Sequence, residues 1–149
     1  MERDLSNENM IHVKKDGIEY LQFRKLLEFE DLVNCFTLKT GNLNFRRKTS
    51  EELALQSIQK ICNVLDVNPN TIVRPNQKHT DCVEKVDSAS EDLGTREIDG
   101  LITNKKDINL LLTFADCTPI ILYDPVNKAI GNIHSGWRGT VQKIGKKAT

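Results

Sequence analysis

No CxxC pair occurs among the four cysteines of this 149-residue chain. Cys35, Cys62, Cys82 and Cys117 are spread widely, which argues against both a zinc ribbon and a disulfide framework. Neither charge is in excess: 21 Lys and Arg balance 21 Asp and Glu, and the sequence pI is 6.8. A nucleic-acid binder needs a basic field that this balance does not supply, so no nucleic-acid partner is expected. The N-terminus, MERDLSNENM, is polar and acidic and does not read as a signal peptide. The longest apolar run, INLLLTFA, is far too short to cross a bilayer, so no membrane partner is expected either. There is no internal repeat and no low-complexity segment. A soluble, cytoplasmic protein is the expectation, with residues 1–9 frayed and 10–149 forming one domain.

What the chain does have is concentrated between Phe114 and Thr140, FADCTPIILYDPVNKAIGNIHSGWRGT. PIILY (119–123) and AIGNIH (129–134) are apolar and β-branched, and DPVNK between them is turn chemistry. The pattern predicts a β-hairpin that brings Cys117, before its first strand, close to His134, at the end of its second. SGWRGT then marks a sharp passage into a helix, with Thr140 as its N-cap and Val141 and Ile144 on one side. The chain ends soon after this loaded loop, and a C-terminal part is expected to be missing.

Elsewhere the pattern predicts strands flanking Lys15-Asp16-Gly17, at MIHVK and IEYLQF. His12 lies in the first and reads as a strand residue. A further strand is expected over 32–38 (LVNCFTL). Residues 39–48 form a polar loop carrying Lys39, Arg46, Arg47 and Lys48, either solvated or facing an anion. A helix is expected from about Ser50 to Leu65, with Thr49 and Glu52 at capping-box spacing and Ala54, Ile58, Ile61, Cys62 and Leu65 as its apolar stripe. Asn68-Pro69-Asn70 should stop it. Short strands follow at 71–74 and 82–86, around a turn that holds His79. Residues 87–97 read as a flexible surface loop. GLIT (100–103) and INLLLTFA (108–115) are strands, the second hydrophobic enough to be buried on both faces. One helix among many strands implies an α+β architecture. Cys35, Cys62 and Cys82 read as small core residues.

Each of His79, Cys117 and His134 follows or ends a strand, where loops gather. Zinc accepts imidazole nitrogen and thiolate sulfur, and three protein ligands leave a fourth position for water or substrate. Read from chemistry alone, the three are either ligands delivered by separate loops or unconnected residues. A separation above about a nanometre between the imidazoles and the Cys117 sulfur excludes the first reading. Asp116 either orients a histidine and serves as general base, or caps a strand end. Arg138, with the amides of Gly139 and Thr140, can grip a phosphate. Trp137 is a core anchor or a stacking platform, and core is the favoured reading.

These residues carry a resemblance. TFADCTPIILYDP and IGNIHSGWRGT resemble the bacterial YfiH/YlmD-like proteins, long labelled polyphenol oxidases or laccase-domain proteins. The family's Gln-x-His matches Gln77-Lys78-His79, its Asp-Gly-Leu-(Ile/Val)-Thr matches Asp99 to Thr103, and its Ala-Asp-Cys matches Ala115 to Cys117. Its His-x-Gly-Trp-(Arg/Lys)-Gly-Thr matches His134 to Thr140. The resemblance implies an α/β/β/α sandwich with mixed sheets and a zinc ion on His79, Cys117 and His134. It implies a purine nucleoside phosphorylase, with adenosine deaminase activity in some members, acting on purine nucleosides and phosphate. Cys117, Asp116, His79 and His134 would be catalytic, and Arg138, Gly139, Thr140 and Lys39 would bind substrate or phosphate. The chain departs from the pattern at Phe36 to Gly41, where Lys39 replaces an arginine, and at Gln56-Ser57, where an Asn-Arg pair is usual. Family members also run on well beyond the position of Thr149.

Copper, suggested by the older label, fits poorly: oxidation through several copper centres needs many imidazoles, and this chain has three histidines. Two other readings stand beside the zinc enzyme. One is a metal-free cysteine hydrolase with Cys117 as nucleophile and His134 as base, supported by the fold's likeness to toxin deamidases. The other is an inactive truncated fragment that binds metal without turnover.

Overall fold

The computed structural model describes residues 2–46 and 48–149; Arg47, part of the basic loop, lies outside the described residues. The chain divides into two compact units, Met1–Pro69 and Asn70–Thr149. Together they hold an α+β set of elements in one antiparallel, one parallel and one mixed sheet.

In the first unit, β1 (Met10–Lys15) and β2 (Ile18–Phe23) pair antiparallel, with Lys15 opposite Ile18. The two residues between them, Asp16 and Gly17, have φ of 52° and 75°. That left-handed pair matches the strand twist, which is why Asp-Gly makes this hairpin. His12 sits in β1 as expected: Nδ1 accepts from the Leu5 amide at 3.1 Å and Nε2 meets Glu19 at 2.9 Å. Residues before β1, expected to fray, are tied to it by that bond and by His12 N donating to Ser6 Oγ at 3.0 Å.

The strand expected over 32–38 shrinks to β3 (Phe36–Thr37). Asn34 is the reason: its side-chain oxygen accepts from Phe23 N at 2.7 Å and its carbonyl from Gln22 Nε2 at 3.1 Å. A side chain thus takes up the groups that a longer ladder would have used. α1 (Glu51–Leu65) is capped by Ser50, whose hydroxyl accepts from Leu53 N at 3.3 Å. Thr49, the expected cap, instead donates to Asn44 Oδ1 at 2.6 Å. Asp66, left-handed at φ 55°, ends the helix before the Asn-Pro signal is reached. Cys62 is in the core at 1% exposure. Ser57 and Val64 are buried too, while Ile61 and Leu65 are half-buried, so the stripe is rotated from the expected one. Ile18, Tyr20 and Val64 form this unit's core cluster, with Cys35 packed against it.

In the second unit, β4 (Ile72–Val73) runs parallel to β7 (Asn109–Leu110). Most of INLLLTFA is therefore not strand. Ile108 and Leu112 are buried but the residues between are half-buried, and Thr113 bonds to a side chain rather than to a neighbouring strand. The main sheet has the order β5 (Val83–Lys85), β6 (Gly100–Thr103), β9 (Ala129–Ser135), β8 (Thr118–Asp124). The first pair is parallel and the other two antiparallel. Val73, Val86, Leu93, Ile98, Leu101, Ile108 and Leu112 make its core.

The chain ends in two short helices, α2 (Trp137–Val141) and α3 (Ile144–Lys147), broken at Lys143 with φ 60°. Gly136 is the N-cap of α2, so Thr140 lies inside the helix and is not its cap. Val141 is 73% exposed and Ile144 fully buried, so they do not share a side. Among the described residues, no helix is long and apolar enough to cross a membrane.

Candidate metal centre

The hairpin β8–β9 sets two of the three proposed ligands. Thr118 is opposite Ser135 and Pro119 opposite His134, so the residue before β8, Cys117, falls level with Gly136. His79 comes from the turn after β4, where its φ of 62° lies in the left-handed region that few non-glycine residues adopt. One donor atom from each of His79, Cys117 and His134 lies within 4.8 Å of the others. The two imidazoles meet edge to face with centroids 4.9 Å apart. His134 is buried, Cys117 half-buried and His79 exposed, so the group is open on one side.

A carboxylate that the sequence reading did not single out as a site residue organises this group. Asp99, fully buried just before β6, accepts at Oδ1 from His134 Nδ1 at 2.8 Å and from His79 N at 2.9 Å. Its Oδ2 accepts from Lys78 N at 3.1 Å, Thr80 N at 2.8 Å and Thr80 Oγ1 at 2.9 Å. Burial by itself would raise this carboxyl. The bonds from Thr80, Lys78 and His134 outweigh that and hold it below the usual carboxylate range. An ionised Asp99 puts the His134 proton on Nδ1 and leaves the Nε2 lone pair for a ligand. The three amides also explain how His79 is kept in a left-handed conformation.

Gln77 ties the segment leading to Cys117 to the His79 turn. Its Oε1 accepts from Thr113 N at 2.8 Å and its Nε2 donates to Thr113 O at 2.9 Å. The signal for both residues was present in the chain: Gln77 stands two before His79, and Asp99 directly precedes a strand that is buried on nearly all of its length.

The remaining site residues are distributed differently from expectation. Asp116 is exposed, and the carboxylate on His134 is Asp99. Trp137 is 72% exposed, which overturns the core reading; its ring stacks on Arg138, with the guanidinium carbon 5.4 Å from the centroid. Arg138 is exposed and Gly139 buried. Thr140 N and Oγ1 both donate to the Gly136 carbonyl, each at 2.8 Å, so its amide is taken up by the helix turn. Lys39 is exposed in the first unit. Cys82 is exposed and not a core residue. Burial pushes the Cys35 thiol up to about 12.

The donor set suits a small cation. Tetrahedral zinc with nitrogen and sulfur ligands has edges of about 3.5 Å, and the 4.8 Å limit here needs only a small closing movement. Gly136 lines the same space: a Cβ built there would stand 3.0 Å from His79 Cδ2 and 3.3 Å from Cys117 Sγ.

Residues 34–149 match the family model described as multi-copper polyphenol oxidoreductase laccase. The chain belongs to the YfiH/YlmD-like laccase-domain family. Within that family it is similar to the purine nucleoside phosphorylase YlmD of Bacillus subtilis, at 31% identity over 79% of this chain and 49% of the relative. It is 33% identical to a purine nucleoside phosphorylase of Borreliella burgdorferi, over 84% of this chain and 48% of that protein. Among solved structures, YlmD from Geobacillus stearothermophilus shares the fold with a TM-score of 0.77 at 24% identity, over 93% of this chain and 57% of that one. The chain thus spans about half the length of the laccase-domain relatives it matches.

Proposed function

We propose that this chain carries the zinc centre of a purine nucleoside phosphorylase, converting a purine nucleoside and phosphate into free base and ribose 1-phosphate. The observation that carries the reading is the convergence of two imidazoles and one thiol on a space open on one side. The names of the Bacillus and Borreliella relatives supply the substrate class. His79, Cys117 and His134 would hold the ion. When bound, it supplies positive charge to orient phosphate or polarise a substrate oxygen, and for adenosine deamination it would lower the pKa of a water.

The chain's own residues do the rest. A phosphate oxygen attacks the ribose anomeric carbon as the glycosidic bond breaks, and the bond pair leaves on the purine, which takes a proton. The transition state is oxocarbenium-like, so fixed groups that place the two substrates contribute most. Exposed Arg138 is assigned to phosphate and exposed Asp116 to proton handling. Gly139 adds only backbone, the Thr140 amide is already used, and Lys39 is assigned to phosphate on the family resemblance alone. The same resemblance assigns the α+β elements to an α/β/β/α sandwich.

The multi-copper chemistry in the family's description does not suit this donor set. His12 uses both ring nitrogens in the first unit, leaving two imidazoles for the one cluster found among the described residues. A single centre cannot store the electrons that reduce dioxygen to water.

One observation favours the hydrolase as second reading. Asp99, His134 and Cys117 form an acid–base–thiol series of the kind that activates a nucleophile. Elemental analysis, followed by incubation with inosine or adenosine and phosphate, separates the readings. B. subtilis YlmD serves as positive control. One zinc per chain, with ribose 1-phosphate formation lost to a chelator and regained with zinc, is the expected result. Metal-free protein whose activity is blocked by a thiol alkylator would establish the hydrolase. Zinc without turnover would leave a metal-binding fragment.

A further inference from the structure

Gly136 caps α2 with φ −73° and ψ 173°, a conformation open to any residue, and it makes no side-chain cap bond. Ser, Asn or Asp at this position would satisfy a free amide and stabilise the helix. Backbone freedom therefore does not explain the glycine. Space does. The Cβ of any other residue would press on the His79 ring and the Cys117 sulfur, at 3.0 and 3.3 Å. The backbone of His79 is fixed by the bond from its amide to Asp99, so the adjustment falls on its ring. Cys117 directly precedes β8, whose pairing with β9 begins at the next residue.

Gly139, three residues on, makes a second close approach. A Cβ there would lie 2.9 Å from the Thr80 carbonyl oxygen. That oxygen is backbone, and the amide and hydroxyl of Thr80 are both bonded to Asp99. From α3, Lys147 pairs with Asp81 in the same turn. The two terminal helices are thus seated on the segment that bears His79: a Cβ at 139 would run into backbone, and one at 136 would make the His79 ring or the Cys117 sulfur give by a few tenths of an ångström.

We infer that Gly136 and Gly139 are positioning residues of the metal centre: by lacking side chains they let α2 close on the His79–Thr80 turn and hold His79 and Cys117 at the spacing of a shared ion. This rests on the metal reading above. Alanine at 136 separates two ligands directly, whereas alanine at 139 displaces the turn that carries one of them.

The test is titration of the metal-free chain with Co(II), followed by the thiolate-to-cobalt and d–d absorption bands, in wild type, Gly136→Ala, Gly139→Ala and Gly145→Ala. Gly145 is the control, since its Cβ would make an ordinary 3.4 Å contact with Ile120. Gly136→Ala should bind cobalt about 10- to 100-fold more weakly, the range seen when a ligand's support is lost. Its bands should be altered, and the weaker binding should persist at temperatures well below its metal-free unfolding midpoint. Gly139→Ala should lose less, and Gly145→Ala nothing. Wild-type affinity and spectrum in Gly136→Ala would overturn the inference. If Gly136→Ala does not fold, Gly139→Ala decides by the same criterion, and failure of both to fold also overturns it. A wild-type chain that takes up no cobalt would instead refute the metal reading itself.

Discussion

Asp99 and His134 are joined twice. The His134 ring meets the Asp99 carboxylate at 2.8 Å, and the His134 amide donates to the Asp99 carbonyl at 2.7 Å. The second bond places β9 beside the start of β6, and the first then fixes the orientation and tautomer of the imidazole. Because the same carboxylate also gathers the amides of residues 78 to 80, one buried charge sets both histidines of the group.

Asp99→Asn should therefore weaken metal binding by about 10- to 100-fold while keeping most of the volume in place. Competition titration with a zinc chelator measures it. Affinity equal to wild type would show that backbone pairing alone orients His134. Asp99→Ala should be far worse for stability, by about 3–5 kcal/mol, because it strands buried donors.

The cysteines should separate by alkylation rate, followed by mass spectrometry of the intact and digested chain. Exposed Cys82 should react with or without metal, whereas Cys117 should be protected by zinc alone. Cys35 and Cys62, buried or half-buried, should react only on unfolding. Zinc that protects no thiol would remove Cys117 from the ligand set.

Cys35 also makes stability depend on pH in alkali. Its thiol is raised from 9.0 to about 12 in the fold, so the native state keeps a proton that the unfolded chain releases. Below pH 9 the group adds no penalty. As pH rises from 9 towards 12, stability should fall by at most about 1.4 kcal/mol per unit. Denaturant midpoints at pH 8, 9 and 10 for wild type and Cys35→Ala measure it, and the wild type should show the steeper decline. Parallel lines would contradict the burial argument.

At the C-terminal helices the two large apolar residues should behave oppositely. Trp137→Ala should change stability by less than about 0.5 kcal/mol, since the indole is mostly in water. Ile144→Ala should cost about 2–5 kcal/mol, because that side chain is fully buried. Thermal or urea unfolding of both variants, monitored by circular dichroism, compares them. A large loss at Trp137 would restore the core assignment.

Much of this was legible in the chain. The Asp16-Gly17 hairpin, α1 and the β8–β9 hairpin follow from local rules: left-handed turn residues, a 3.6-residue period and paired apolar runs. Where a side chain substituted for a strand partner, as Asn34 and Gln77 do, those rules overran, because strand length depends on which groups reach the ladder from elsewhere. The apolar count of INLLLTFA misled for the same reason.

By itself the sequence determined the kinds of donor atom available and the hairpin that brings Cys117 close to His134, since residue identity and strand period are local. Only the tertiary structure decided which carboxylate serves the histidines. Asp116 is adjacent to Cys117 in sequence yet faces solvent, while Asp99 is distant in sequence and buried beside both histidines. Charge acts through space and dielectric, and neither is written in the order of residues.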